Sequence, residues 1–259
     1  MPLLAWIIVF TAAGGLLSAL AASLFLLAPE RMRAWVLPHL VSFATGALLA
    51  AALLGLLPHA VEAAGLADAH YIGLALLCGL LVFFVLEKLV LWRHCHQDIC
   101  EGHVPHDHQR DAASASLILI GDGFHNVLDG VLIAAAFMTD VHLGVVTAIA
   151  VMTHEIPQEV GDLAILLNGG MSRAKAFALN TITSLTSVIG GIAAYFFLGD
   201  STSVLPYALA IAASSFLYIA VADLIPGLHR RVDPGSGLKQ FIFIVLGVAV
   251  IFVSHRLAH

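Results

Sequence analysis

The chain reads as a series of long apolar runs divided by short polar breaks, and the runs predict helices. Eight candidate spans lie at about 3–27, 39–58, 70–92, 114–139, 142–168, 174–198, 203–227 and 238–258. Each is roughly 20 residues, the length an α-helix needs to cross a ~30 Å hydrocarbon core. The strict alternation of a membrane barrel strand is absent. Connections are short except for 93–113. Spans 1 and 8 carry no charge in their interiors, which predicts lipid-facing scaffold. Span 6 is different: Asn180, Thr181, Thr183, Ser184, Thr186, Ser187, Gly190 and Gly191 stud it with small and hydroxyl side chains. Close helix packing accounts for such a pattern, with the lining of a polar path as the alternative.

Composition turns this pattern into a class. Of 259 residues, 60% are hydrophobic and 11% charged, with mean hydropathy +0.98. Soluble domains carry about 25% charged residues, so the expected fold is all-α, a polytopic membrane protein whose first partner is the lipid bilayer. A net charge of −6 offers no basic footprint and excludes nucleic acid as a partner. Cys78, Cys95 and Cys100 are odd in number and divided between a span and a loop, so they imply no disulfide framework. Met1-Pro2-Leu3 lacks the positive n-region of a cleavable signal, which predicts a retained first span.

Basic residues then orient the spans. Arg31 and Arg33, Lys88, Arg93 and Arg110, Arg173 and Lys175, and Arg230, Arg231 and Lys239 occupy four connections on one side; Arg256 alone lies on the other. The opposite loops carry Glu62, Asp68, Asp140 and Asp200. Both termini are therefore expected on the non-cytoplasmic face, and the short chain fits a bacterial inner membrane. A faint repeat accompanies this order. Leu56-Leu57-Pro58-His59 ends span 2 and Leu224-Ile225-Pro226-Gly227 ends span 7, with Ala44–Leu49 and Ala212–Leu217 aligned upstream. By the orientation above such a repeat is inverted, giving a 3+2+3 arrangement. Inverted three-helix units are a transporter architecture; Leu/Ala-rich composition by itself is the competing explanation.

The chemistry sits in spans 4 and 5. Asp122, His125 and Asp129 share one helical face, with Asn126 flanking it. His154 and Gln158 form an i,i+4 pair, Glu155 and Glu159 another, and Asp162 continues that row. Pro157 lacks an N–H and crowds the Thr153 carbonyl, bending the helix beside the carboxylates. At ~1.5 Å per residue, Asp129 and His154 both fall near mid-membrane. Asp122 and Asp162 lie together further toward the cytoplasm, as an exit step would. No Lys or Arg lies in a span interior, so buried acids here require protons or a bound cation; for Asp223 of span 7, near the inner membrane edge, a cap or surface role is the alternative. Imidazoles beside carboxylates and amides favour a borderline transition metal such as zinc or ferrous iron over calcium or magnesium. His39, His59, His70 and His142, without acid neighbours of this kind, are expected to be packed or hydrogen-bonded.

His125-Asn126-x-x-Asp129-Gly130 and His154-Glu155-x-Pro157-x-Glu159, followed by Val160-Gly161-Asp162, resemble the signature of ZIP-family (Zrt/Irt-like) metal-ion transporters. The likeness is to the subfamily whose fifth span reads H-E-x-P-H-E. It implies a permease that brings zinc, or a related divalent metal such as iron, into the cytoplasm. The metal is cargo rather than a resident cofactor, and a homodimer is a candidate assembly. The resemblance also implies a two-metal site: His125, Asp129, His154 and Gln158 at one position, Asn126, Asp129, Glu155 and Gln158 at the other, with Asp129 bridging. Glu159 belongs to the same motif and is counted among the candidate ligands. Gln158 departs from the pattern, standing where the subfamily has histidine; a neutral oxygen is a weaker zinc ligand and raises iron as a candidate.

The loop 93–113 holds His94, Cys95, His96, Cys100, His103, His106 and His108 among acids. Histidine-rich tracts bind metal, so the loop histidines are expected to capture it weakly on the cytoplasmic side. Two other functions compete with transport. His154-Glu155-x-x-Gln158 is one histidine short of H-E-x-x-H, the zinc-hydrolase pattern; a sensor that binds metal without moving it is the other. No enzymatic activity is expected.

Overall fold

The computed structural model describes residues 2–95, 108–168, 171–199, 203–229 and 234–257. Helices α1 (Leu3–Leu26), α2 (Glu30–Ala50), α3 (Leu57–Ala64), α4 (Ala69–Cys95), α5 (His108–Thr139) and α6 (Val141–Asn168) make up the first part of the chain. They are followed by α7 (Arg173–Ser184), α8 (Thr186–Leu198), α9 (Leu205–Tyr218), α10 (Ile225–His229) and α11 (Pro234–Leu257). No strand occurs among the described residues, so the protein is all-α as expected.

Among the described residues, seven stretches are long and apolar enough to cross a membrane, judged by length and composition: 3–26, 30–64, 66–86, 119–139, 173–198, 205–229 and 236–254. The eighth expected span, α6, is a single helix of 28 residues and so has the length. It falls short on apolarity because His154, Glu155, Gln158, Glu159 and Asp162 occupy its C-terminal half. The residues that make it interesting are those that lower its hydropathy. The second span also starts earlier than expected, at Glu30, where Pro29 precedes the first helical turn and Arg31 and Arg33 become helical rather than loop.

Polarity is arranged inside out. Leu17, Leu20 and Leu24 of α1, Leu77 and Leu81 of α4, and Phe241 and Val253 of α11 are exposed, whereas Asp129, Glu155, Glu159, Asn180 and Ser184 are buried. Apolar side chains outside and ionisable ones inside suit a lipid surround, where only groups turned to the interior can find partners. This is a multi-span membrane protein. As expected, α11 keeps most of its surface outward, whereas α1 also buries a face of Ile7, Thr11, Gly14, Gly15 and Ser18. That face packs on α6 and α8.

Small residues set the closest approaches. Gly130 of α5 and Gly190 of α8 face each other's backbones, so a Cβ on Gly130 would overlap the Ser187 carbonyl and one on Gly190 the Val127 carbonyl. Gly46 of α2 and Gly247 of α11 form the matching contact through the Ile244 and Phe43 carbonyls.

Spans 2 and 7 share more than sequence. Each contains a six-residue π-helical segment, Ala51–Leu56 and Ile219–Leu224. Each segment runs directly into an X-Pro pair, Leu57-Pro58 and Ile225-Pro226. Proline cannot supply its N–H to the turn before it and crowds the carbonyl four residues back, and a widened turn accommodates both. The first segment packs on α9 and the second on α2, so the two irregular helices meet each other.

Candidate metal centre

Helices α5 and α6 run side by side, joined by Asp140 alone. Asp140 is the N-cap of α6: its Oδ1 accepts from the backbone N–H groups of His142 (2.8 Å) and Leu143 (2.9 Å). Burial pushes the Asp140 carboxyl up, but these two amides outweigh it and hold the group below its ordinary value. This tight turn fixes the register of α6 against α5 from one end.

Four side chains converge about three to four turns further in. His125 Nε2 lies 3.3 Å from His154 Nε2, 3.7 Å from Asp129 Oδ2 and 3.5 Å from Glu155 Oε1. His154 Nε2 lies 3.4 Å from Asp129 Oδ2 and 3.6 Å from Glu155 Oε1. One ligand atom from each residue can be chosen so that all lie within 4.8 Å of one another. Zinc bonds of about 2.0–2.2 Å in a tetrahedron place neighbouring ligand atoms roughly 3.3–3.6 Å apart. Four of these five separations match that spacing, and the fifth, His125 to Asp129, is slightly longer.

The carboxylates lack other partners. Both oxygens of Asp129 and both of Glu155 are buried without a hydrogen bond. Asp129 and Glu155 side chains are 1% and 3% exposed, while that of His125, at 24%, forms the open edge of the cluster. Buried carboxylate oxygens without donors are costly, and a cation seated among them removes the cost. Phe216 of α9 stands edge-on to His154, with ring centroids 6.2 Å apart, and forms an apolar wall on that side.

The remaining candidates divide into two groups. Asn126 Nδ2 donates to Asp122 Oδ1 (2.9 Å) and to the Asp122 carbonyl (3.1 Å), and Gln158 Nε2 donates to Asp122 Oδ1 (3.4 Å). Asp122 thus takes the N–H₂ ends of both amides, which leaves their carbonyl oxygens as the ends that can ligate. Asp122 and Asp162 each keep one buried oxygen without a partner. Glu159, counted among the ligands from sequence, lies outside the cluster of four: Asn180 Nδ2 and Ser184 Oγ of α7 donate to its two oxygens.

His39 Nδ1 donates to the Trp35 carbonyl (2.6 Å) between the Trp35 and Phe243 rings, and His59 Nδ1 donates to the Gly55 carbonyl (2.9 Å). Both behave as packed, hydrogen-bonded histidines, as expected. His70 and His142 are exposed near helix starts. Of the loop histidines, His96, His103 and His106 lie outside the described residues, while His94 and His108 fall in the end turns of α4 and α5.

The sequence reading missed Asn180 and Ser184 as partners of the site. Their signal was the hydroxyl-rich stretch of span 6, read mainly as close packing. In the structure that stretch also makes bonds between helices. Thr186 Oγ1 donates to the Gly123 carbonyl of α5 (2.8 Å) and Ser187 Oγ to the Thr11 carbonyl of α1 (3.3 Å).

A multi-span helical bundle with a histidine–carboxylate cluster buried among its helices defines a membrane protein that handles metal ions. Residues 92–255 match the family model described as ZIP zinc transporter, more than half of the chain. The chain belongs to the ZIP family. It is 28% identical to the zinc transporter zipt-7.1 of Caenorhabditis briggsae over 96% of this chain and 78% of that protein. It is 32% identical to the zinc transporter ZIP13 of Pongo abelii over 84% and 66%, and 29% identical to the zinc transporter YKE4 of Saccharomyces cerevisiae over 82% and 68%. These relatives are named as transporters, not enzymes, in keeping with the expectation for this chain.

Proposed function

We propose that the protein carries zinc across a membrane into the cytoplasm through a site between α5 and α6. The observation behind this reading is the buried cluster of His125, Asp129, His154 and Glu155, with four carboxylate oxygens that have no protein donor. Membership of a family whose relatives are named zinc transporters supplies the cargo. The four side chains bind one ion. The amide oxygens of Asn126 and Gln158, aimed by their bonds to Asp122, serve a second ion that shares Asp129. Asp122 and Asp162 then receive the ion on its way inward. The clustering of Lys and Arg in alternate connections supports an orientation with both termini outside.

Ferrous iron is the second cargo to test, because Gln158 contributes an oxygen where an imidazole would favour zinc. Zinc and ferrous-iron uptake should be measured in proteoliposomes holding the purified protein, beside Glu155→Ala and His125→Ala. Saturable uptake in the wild type, lost to the level of protein-free liposomes in both variants, is the expected result. Saturable binding without flux in the wild type would replace the transporter by a sensor.

A further inference from the structure

Glu159 is the one acid of the motif whose two oxygens are both satisfied by protein. We propose that it is a positioning residue: a two-point anchor on α7 that sets the rotation of α6, and with it the aim of Glu155 and Gln158 at the metal. This inference rests on the reading of the cluster as the zinc site.

The argument begins with Pro157. Lacking an N–H, it removes the bond that would tie this turn of α6 to the Thr153 carbonyl, so the helix's own ladder holds the turn less firmly. Gln158 and Glu159 follow immediately. An outside tether at Glu159 therefore fixes what the ladder leaves loose. Glu155 lies one turn earlier on the same row, so any rotation at Glu159 is carried to it. Metal ligands must be held to about 0.5 Å and 10–20° to work.

The tether is well placed. Glu159, Asn180 and Ser184 are all 0% exposed. Ser184 is the last residue of α7, and the sixth span breaks at Leu185 before α8 begins at Thr186. Two more bonds leave the same break, from Thr186 to the Gly123 carbonyl of α5 and from Ser187 to the Thr11 carbonyl of α1. Gly123 lies two residues before His125. The junction thus holds α5 beside His125 and α6 beside Gln158, and both halves of the metal cluster are set against one fixed point.

Exchanging the two end groups separates an anchor from a ligand. Asn180→Asp alone sets a second carboxylate against Glu159; adding Glu159→Gln restores a complementary amide–carboxylate pair with the roles reversed. The measurements are zinc chloride affinity by calorimetry on purified protein in detergent, and KM and maximal rate of zinc uptake in proteoliposomes. Asn180→Asp is expected to weaken zinc affinity about tenfold or more and slow uptake to match. Asn180→Asp/Glu159→Gln should return both to within about threefold of wild type. A double variant no better than Asn180→Asp, or worse, overturns the proposal, because removing a ligand's charge cannot rescue binding. Should the wild type bind zinc without moving it, transport fails as a reading while the affinity comparison still decides the role of Glu159.

Discussion

At the scale of single residues, the acids of α6 divide by what satisfies them: Glu155 has no hydrogen-bond partner, whereas Asn180 and Ser184 donate to Glu159. His125 and Asp129, and His154 and Glu155, were legible because each pair lies within one turn and because an acid at membrane depth calls for a partner. The anchoring of Glu159 was not legible. Its donors lie 21 and 25 residues away on another helix, and no periodicity links them. Asp140 belongs to the legible kind only in retrospect: a lone acid between two apolar runs reads as a loop charge, yet it caps α6. Asp140→Ala should cost about 1 kcal/mol of stability, measured as unfolding free energy in detergent, and Asp140→Asn should recover most of it. The carboxyl is held below its ordinary value, so its contribution is complete above the ordinary carboxylate range. It is lost only as pH falls through the lowered value, and near neutral pH the cost of Asp140→Ala should not vary with pH.

Among elements, the helices were predicted from hydropathy but their interruptions were not. Pro58 and Pro226 were visible as a repeated ending; the π segments before them follow from the prolines together with the packing of the two helices on each other, which no local pattern contains. The break at Leu185 has a more local origin. The Thr183 hydroxyl donates to the Asn180 carbonyl, and Ser184 and Thr186 each share their one proton between a carbonyl of this span and an acceptor on a neighbouring helix, in competition with the helix ladder. Two glycines of α5 test how closely elements are held. Gly130→Ala drives a methyl into the α8 backbone and should destabilise by about 1–3 kcal/mol. Gly121→Ala meets nothing within 4 Å and should be neutral or stabilising by up to about 1 kcal/mol through helix propensity. Thermal unfolding of the two variants side by side checks the contrast; equal losses would mean that α5 and α8 are not held at contact distance.

In the whole molecule, the reversal of the usual polarity was legible from composition alone, since 11% charge over 259 residues leaves no other surround than lipid. The site was legible for the same reason: acids buried in a bundle with so few charges call for a bound cation or for donors that hold them. Metal and stability should therefore be linked. Zinc at a hundred times its Kd should add about 2.7 kcal/mol to the folded state, seen as a raised unfolding temperature in detergent. Glu155→Ala should abolish that rise, whereas Asp140→Ala should keep it. A zinc-induced rise of equal size in Glu155→Ala would place the stabilising ion elsewhere.

The matched π segments bear on how this chain can be compared with others. A widened turn holds one residue more than an α turn, so the helix before Ala51 and the helix after Leu56 are out of phase by about 100°. Counting residues across the segment then puts the wrong side chain on the inner face, whereas counting outward from Pro58, or from Pro226 in the other half, keeps it right. A sequence one residue shorter within either segment can close the turn to an ordinary helix and leave both flanks in place. Inside a membrane span, where length is otherwise fixed by the bilayer, these are two positions at which a single-residue gap belongs.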